Sequence, residues 1–424
     1  MPYFRQIQPP LSPFSARTEV PVESRSLKNG ASMFLINAGT EDVMRIEFVF
    51  RAGVIQEYLP LLATTTNMML TEGSEMHSAE ELNSILDYYG IFLNLAAERD
   101  TAGLTVYFLN KHIEKVIELI NEILFHPSFP EKELDTLMNK RLSWHRINME
   151  KVQNLANDQF FESLFGSHHP YGRKLDEKDF KIVTPHFLKD FHSKYYAPEK
   201  MAVIVSGRIH EKAISLIENY LGNIYSRTLF IEDPAGFLNG ATEKWKHIKK
   251  EGAIQTALRI GSPTINKRHP DYPGLKILNV ILGGYFGSRL MKNIREEKGF
   301  TYGIHSSVSS LDLCGFKVIT TEVGKANTEE AIREIHNEIK LLQSEPISND
   351  ELEVVRNYMA GEMVRMFDGP FAIAESFKAV WEFGLDFNYF KGLMDSVRTI
   401  TPDEITRLAK MYYNIDDLYH ITAG

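Results

Sequence analysis

The stretch "SAEELNSILDYYGIFLNLAAERDTAGLTVYF", Ser78–Phe108, decides the fold. It opens on Ser78 with Glu81 three residues later, the spacing of a capping box, in which the two side chains satisfy free backbone N–H groups at a helix start. Apolar residues then recur at helical spacing as far as Gly90, a residue type that ends helices because it takes the left-handed conformation without strain. Beyond Gly90 the pattern changes to alternation, which marks strands. Upstream, "MRIEFVFRAG" from Met44 reads as a strand, and a helix-like run begins near Pro60. Downstream, "KHIEKVIELINEILFHP" and "PEKELDTLMNKRL" read as helices.

The chain then repeats this order. "TALRIGSP" from Thr256 reads as a strand, and a helix-like run starts near Asp271. "SRLMKNIREEKGFTYGIHSSVSS" leads through Gly299 into the strand "GFKVITTEV", and the helices "TEEAIREIHNEIKLLQSEP" and "SNDELEVVRNYMAGEMV" follow. Gly299 holds the place of Gly90, "HNEIK" echoes "INEIL", and "NDELEVV" echoes "EKELDTL". Such an order implies duplication of a unit of roughly 200 residues rather than a solenoid of short repeats. Helices attached to hairpin-like strands indicate an α+β class: two tandem homologous domains, each a largely antiparallel sheet with helices on one face. The expected division is a Pro-rich extended arm over 1–20, a first domain over 21–225, a linker over 226–245 and a second domain over 246–424. The linker "YSRTLFIEDPAGFLNGATEKW" carries Pro234, Gly236 and Gly240.

Composition narrows the function. The 424 residues are 43% hydrophobic and 24% charged, the balance of a globular chain of two to three domains. A net charge of −9 excludes a basic nucleic-acid footprint. The single cysteine, Cys314, excludes a disulfide framework and a multi-Cys zinc site, and reads as a small buried apolar residue near a strand. No apolar run approaches the roughly 18 residues of a membrane span. The first 20 residues lack the basic-then-apolar order of a signal peptide, so the expected location is cytoplasmic, or periplasmic if a leader has been removed. Other histidines give no site: "HEKAI" from His210 has Ile214 where a second metal-binding His would stand, and His168 and His169 lie in a loop-like context.

Two tandem α+β units in this order resemble the insulinase/pitrilysin-type zinc peptidases, which include mitochondrial processing peptidase subunits and core proteins of the respiratory bc1 complex. "FRAGVIQE" and "LFGSHHPYGR" are similar to the first domain, and "GGYFGSRLMKNIREEKGFTYGIHS" (Gly283–Ser306) to the signature of the second. Catalytic members carry H-x-x-E-H on a helix, where residues i and i+4 share one face and hold zinc beside a general-base Glu. Anchored on Gly73, the motif falls on Thr64, Asn67 and Met68. Both histidines and the base are missing, and no His lies anywhere between Arg51 and Glu75. The family's third ligand, a Glu, falls around "RLSWHRIN", near Trp144 and His145, where no carboxylate stands.

The resemblance implies that Arg295 and Tyr302, seven residues apart, reach toward an active site from the domain opposite the zinc. Guanidinium and phenol both donate hydrogen bonds to a peptide carbonyl. His305, on the strand that follows, is a further candidate for substrate contact, and the glycines of "GGYFGS" are given a structural role. The expectation is a chain without catalytic residues or metal of its own. It would serve as the non-catalytic subunit of a zinc endopeptidase whose H-x-x-E-H partner, in a heterodimer or heterotetramer, brings the zinc and whose substrates are peptides. The alternative is an inactive scaffold or a peptide-binding, chaperone-like homodimer of the same fold.

Overall fold

The computed structural model describes residues 22–225 and 239–424; the arm over 1–20 and most of the linker lie outside them. The first half runs β1 (Glu23–Ser26), β2 (Ser32–Asn37), β3 (Val43–Phe50), α1 (Leu62–Met68), α2 (Ala79–Tyr89), β4 (Phe92–Ala97), β5 (Ala102–Leu109), α3 (Ile113–Phe125), α4 (Glu131–Met149), α5 (Val152–Phe165), α6 (Pro185–Tyr195), β6 (Ala202–Gly207) and α7 (Glu211–Leu221). The second runs β7 (Trp245–Ile248), β8 (Gln255–Thr264), α8 (Tyr272–Asn279), β9 (Ile304–Ser310), β10 (Gly315–Gly324), α9 (Thr328–Ser344), α10 (Asn349–Arg365), α11 (Pro370–Trp381), α12 (Asn388–Thr399), α13 (Pro402–Tyr412) and β11 (Tyr419–Ala423). One π-helical turn, Val280–Gly284, continues α8, and a second, Met291–Glu297, stands where the first half has α2.

The duplication is carried into the sheets. Their orders are β1-β2-β6-β3-β5-β4 and β7-β11-β8-β10-β9. Each has one parallel pair, β2 with β6 and β7 with β11, and every other neighbour is antiparallel. The capping box at Ser78 forms as its spacing predicts. Gly90 and Gly299 take the same left-handed conformation, φ +62° and +65°. In both halves the next residue bonds back into the helix, Ile91 N–H to Leu86 O at 2.9 Å and Phe300 N–H to Ile294 O at 3.0 Å, which closes the helix end and aims the chain into β4 or β9.

Each sheet carries its own helices on one face, as the pattern implies, but the opposite face is not left to solvent. Phe34 and Ile36 of β2, Val49 of β3, and Ala202 and Ile204 of β6 pack against Ile373, Ala374 and Phe377 of α11. Reciprocally, Ala156, Phe160, Leu164 and Phe165 of α5 pack against Ala257, Phe316, Val318, Tyr419, Ile421 and Ala423 of the second sheet. The two helices hold equivalent places, each following the second long helix of its half. Strands covered on both faces are buried at successive positions: β6 is buried along its whole length, and β3 at all but its first residue, Arg45 and Glu47 included. The described end of the expected linker is packed too: Ala241 N–H donates to Ser163 O at 2.8 Å, and β7 begins inside the stretch, at Trp245.

This exchange joins the packing of the two halves. Phe377→Ala, a change in the second half, is expected to cost about 3–5 kcal/mol and to deprotect amides of β2 and β6 in the first half in hydrogen exchange. Loss of protection confined to the second half would show that the two units fold separately.

Candidate functional site

Arg295 lies in the π-helical turn Met291–Glu297, a geometry that inserts an extra residue per turn and re-aims the side chains that follow. Its guanidinium stacks on Phe286, with Cζ 4.6 Å from the ring centroid. Phe286 is 64% exposed and Tyr302 94% exposed. Tyr302 sits in the turn before β9 rather than on the strand itself, and His305 is exposed on β9. Phe286, Tyr302 and His305 line one open cavity of about 590 Å³ together with Arg259, Thr320 and Glu322. Close approach of the glycines supports this wall: a Cβ on Gly283 would stand 2.7 Å from the Ser306 side chain.

The sheet register explains the cavity. Arg259, Thr320 and His305 are direct cross-strand partners on β8, β10 and β9, and alternation puts them on the face that carries α5. Along β10 that face reads Phe316, Val318, Thr320, Glu322: apolar beneath α5, then polar beyond it. Gln153, in the first turn of α5, forms part of the cavity rim, and its carbonyl accepts from Arg259 Nη2 at 3.3 Å. Burial holds the Arg259 pKa down, with Glu322 opposing. The site therefore offers hydrogen-bonding side chains beside an aromatic platform.

The degenerate motif positions lie on α1, apart from this cavity. Thr64 accepts from Arg141 Nη2 at 2.8 Å, and Thr65 accepts from Arg141 Nη1 at 2.5 Å. Asn67 is 1% exposed and donates to Gly103 O at 3.0 Å and to the Tyr196 hydroxyl at 3.2 Å. The second half repeats this pairing, with Tyr413 O–H donating to Asn279 at 3.3 Å. Asn67 is thus a structural amide. Met68 and Trp144 are exposed, and His145 turns to the Phe180 ring, 5.1 Å away between centroids. No group of three or more His, Cys, Asp or Glu side chains suited to a metal occurs among the described residues. The donor set at α1 does not fit zinc, and α4 contributes a guanidinium there in place of a carboxylate.

Sequence reasoning missed Arg141, Phe286, Arg259 and Glu322. Phe286 carried a weak signal, an aromatic between glycines at a helix end; the others depend on contacts distant in sequence.

Arg141 sets the first prediction for this site. The Thr64→His, Asn67→Glu, Met68→His variant is expected to hold no stoichiometric zinc and to cleave no unstructured peptide, because the guanidinium remains and no carboxylate stands at Trp144 or His145. Metal analysis after dialysis checks it; one tightly held zinc with chelator-sensitive cleavage would place the metal site elsewhere. The second concerns Glu57, which accepts from Ala63 N–H and Arg173 at 2.8 Å each. Burial pushes its pKa up to about 7, against the pull of Arg173, the Ala63 bond and Arg141. The folded state thus holds this proton more tightly than the unfolded chain, whose carboxyl titrates near 4.5. The resulting stability is full below that value and lost as pH rises through about 7. Between about pH 5 and pH 8 the thermal midpoint of the wild type should fall more than that of Glu57→Gln; parallel curves would remove Glu57 from the pH dependence.

Comparison with known proteins agrees with this geometry. The family profile described as insulinase (peptidase family M16) matches residues 34–175, and that of the peptidase M16 inactive domain matches 183–359. The uncharacterized zinc protease YmxG of Bacillus subtilis is 23% identical over 70% of this chain and 72% of its own length. The non-peptidase homolog YmxG of Helicobacter pylori is 20% identical over 84% and 83%. The crystal structure of a peptidase M16 inactive domain from Pseudomonas fluorescens superposes with a TM-score of 0.85 at 24% identity, covering 95% of this chain and 98% of that one. The periplasmic protease PqqL of Escherichia coli gives 0.81 at 17% identity, covering 97% of this chain but 46% of that one. The paired profile matches, the repeated sheet topology and the amide and thioether at the motif positions lead to one conclusion: this chain belongs to the insulinase (M16) peptidase family, in a form without its zinc-binding set.

Proposed function

We propose that the chain is the non-catalytic subunit of a heteromeric zinc endopeptidase. It closes one wall of the chamber and presents Arg295 and Tyr302, with His305 beside them, to the backbone of a peptide bound at the partner's H-x-x-E-H site. The observation that carries this reading is the asymmetry between the halves. The motif helix of the first half has become a structural element, whereas Tyr302 and His305 in the second face a cavity left open among the described residues. A guanidinium resting on an aromatic ring is held in place without being neutralised by a carboxylate, and its N–H groups stay available to a carbonyl. Donors positioned in this way orient the scissile stretch and stabilise charge that develops on its oxygen. The partner supplies the metal-bound water and the base.

A second reading has its own support. Among the described residues β4 is an edge strand, paired on one side only, and Phe92 on it is 64% exposed. Such an edge captures extended peptides by backbone pairing, and a homodimer of this chain would serve as a peptide-binding or chaperone-like scaffold without cleavage.

Titration of the chain against its H-x-x-E-H partner separates the two. Activity should rise to a plateau at a fixed ratio of the chains, with the partner nearly inactive alone. Arg295→Ala and Tyr302→Phe should leave assembly and metal content unchanged and lower kcat/KM of the complex by about 10- to 1,000-fold each. The double variant should lose less than the sum of the two effects if both donors grip one stretch of backbone. A partner fully active alone, or a complex indifferent to both substitutions, would leave the scaffold reading standing.

A further inference from the structure

Four lysines that pack in or against the second half are withdrawn from bulk water, and three have partners. Lys317 donates to Ser262 Oγ at 2.5 Å and lies over the Tyr413 ring. Lys378 donates to Glu47 at 2.7 Å. Lys267 donates to Ala379 O at 2.6 Å and lies over Phe383. The fourth, Lys276 on α8, has no hydrogen bond or ion pair among the described residues. Desolvation lowers its pKa, and no other group moderates the shift. Yet the side chain keeps accessible surface, where it borders a half-open space.

That space is a cavity of about 300 Å³ between α8, β9, α10 and α12. Its apolar lining is Val280, Val308, Met359, Met363, Met366 and Leu393. Methionine side chains are unbranched and polarizable and adapt to a guest of irregular shape. Asn279 and Ser306, also in the lining, satisfy each other, through Asn279 Nδ2 to Ser306 O at 2.9 Å and Ser306 Oγ to Asn279 Oδ1 at 2.6 Å. The one carboxylate in the lining, Glu362, is held by Arg365 at 2.8 Å. Nothing in the wall therefore neutralises the ammonium. A second positive charge stands near it: the Lys267 pKa is pushed down to about 8, first by burial and then by the charge of Lys276. An unpaired charge in an apolar cavity is costly, and a ligand that brings the opposite charge relieves the cost.

We propose that this cavity binds a small apolar monocarboxylate, with the carboxylate on the Lys276 ammonium and the hydrocarbon among Val280, the three methionines and Leu393. Its volume lies at the lower end of small-molecule pockets, about 300–1,000 Å³, which favours a medium-length aliphatic acid over a long one. The site abuts the same strand as the Tyr302 cavity, and His305 stands on both rims. It does not depend on the chain having a catalytic partner.

The test is calorimetric titration of the full chain with decanoate, the neutral decanol of the same length, and an N-acetylated tetrapeptide ending in leucine. Decanoate should bind once per chain, with decanol and the peptide weaker by about ten-fold or more, the range for losing a hydrogen bond to a charged group or the fit of the chain. Lys276→Met should weaken decanoate by about ten-fold or more and leave decanol unchanged. Met363→Trp, which fills the cavity, should abolish both. Lys276→Met also removes an uncompensated charge at nearly constant length, so the ligand-free variant should melt at a higher temperature than the wild type. Equal binding of acid and alcohol, a peptide that outcompetes decanoate, or a Lys276→Met variant with unchanged affinity or a lower melting temperature would each overturn the assignment.

Discussion

Phe160, Leu164 and Phe165 of α5 and Ile373, Ala374 and Phe377 of α11 cover sheets to which neither helix belongs. A sheet that is apolar on both faces has to be covered twice, and the helices of one half suffice for one face only. The duplicated chain meets this constraint by exchange, so that the second face of each sheet becomes the interface between the halves. Polar groups set the register of that interface. Arg45, fully buried, pairs with Glu47 at 2.6 Å and with Glu375 of α11, while Lys378 of α11 reaches Glu47. Near the second sheet, Tyr171 donates to Asp100, which also accepts from the backbone N–H of Asp312 at 3.0 Å. Buried ions add little net stability, but a mispaired arrangement would strand them without partners, which penalises other dockings of the two halves.

The same constraint positions the candidate site. Each exchanged helix is shorter than the face it covers, and the strands turn polar where it ends. In the second half the row Arg259, Thr320, His305 emerges from beneath the start of α5 into an open cavity. The equivalent row in the first half is Glu47, Thr105, Asn94, and there Glu47 is tied up by Arg45 and Lys378. Two copies of one architecture have thus diverged at matched positions, one toward an open polar wall and one toward an internal ionic lock.

The motif helix shows the same divergence in reverse. Asn67 donates to the Tyr196 hydroxyl in the first half, and Asn279 accepts from the Tyr413 hydroxyl in the second. At the place where a catalytic relative has its general base, the first half has an Asn–Tyr pair, as the second half does, with donor and acceptor reversed. Arg141 completes the conversion, since a guanidinium fixed on Thr64 and Thr65 repels the dication that the family binds there.

The sequence by itself determined the element types, their doubled order and the loss of the zinc set, because these rest on local spacing. The Ser78 and Glu81 cap, the glycines at 90 and 299 and the switch from helical to alternating period are all set within a few residues, and the absence of histidine around Thr64 needs no coordinates. The pair Arg295 and Tyr302 was legible as a string, although the turn that holds Tyr302 off the strand was not. Tertiary structure alone decided that α5 and α11 change places, since nothing local in either segment names the sheet it covers. It alone placed Arg141 on Thr64, Phe286 beneath Arg295 and Lys276 in an apolar cavity. Each of these joins residues from separate elements, and the energy that fixes them is burial and pairing across space, which leaves no mark on the spacing of the chain.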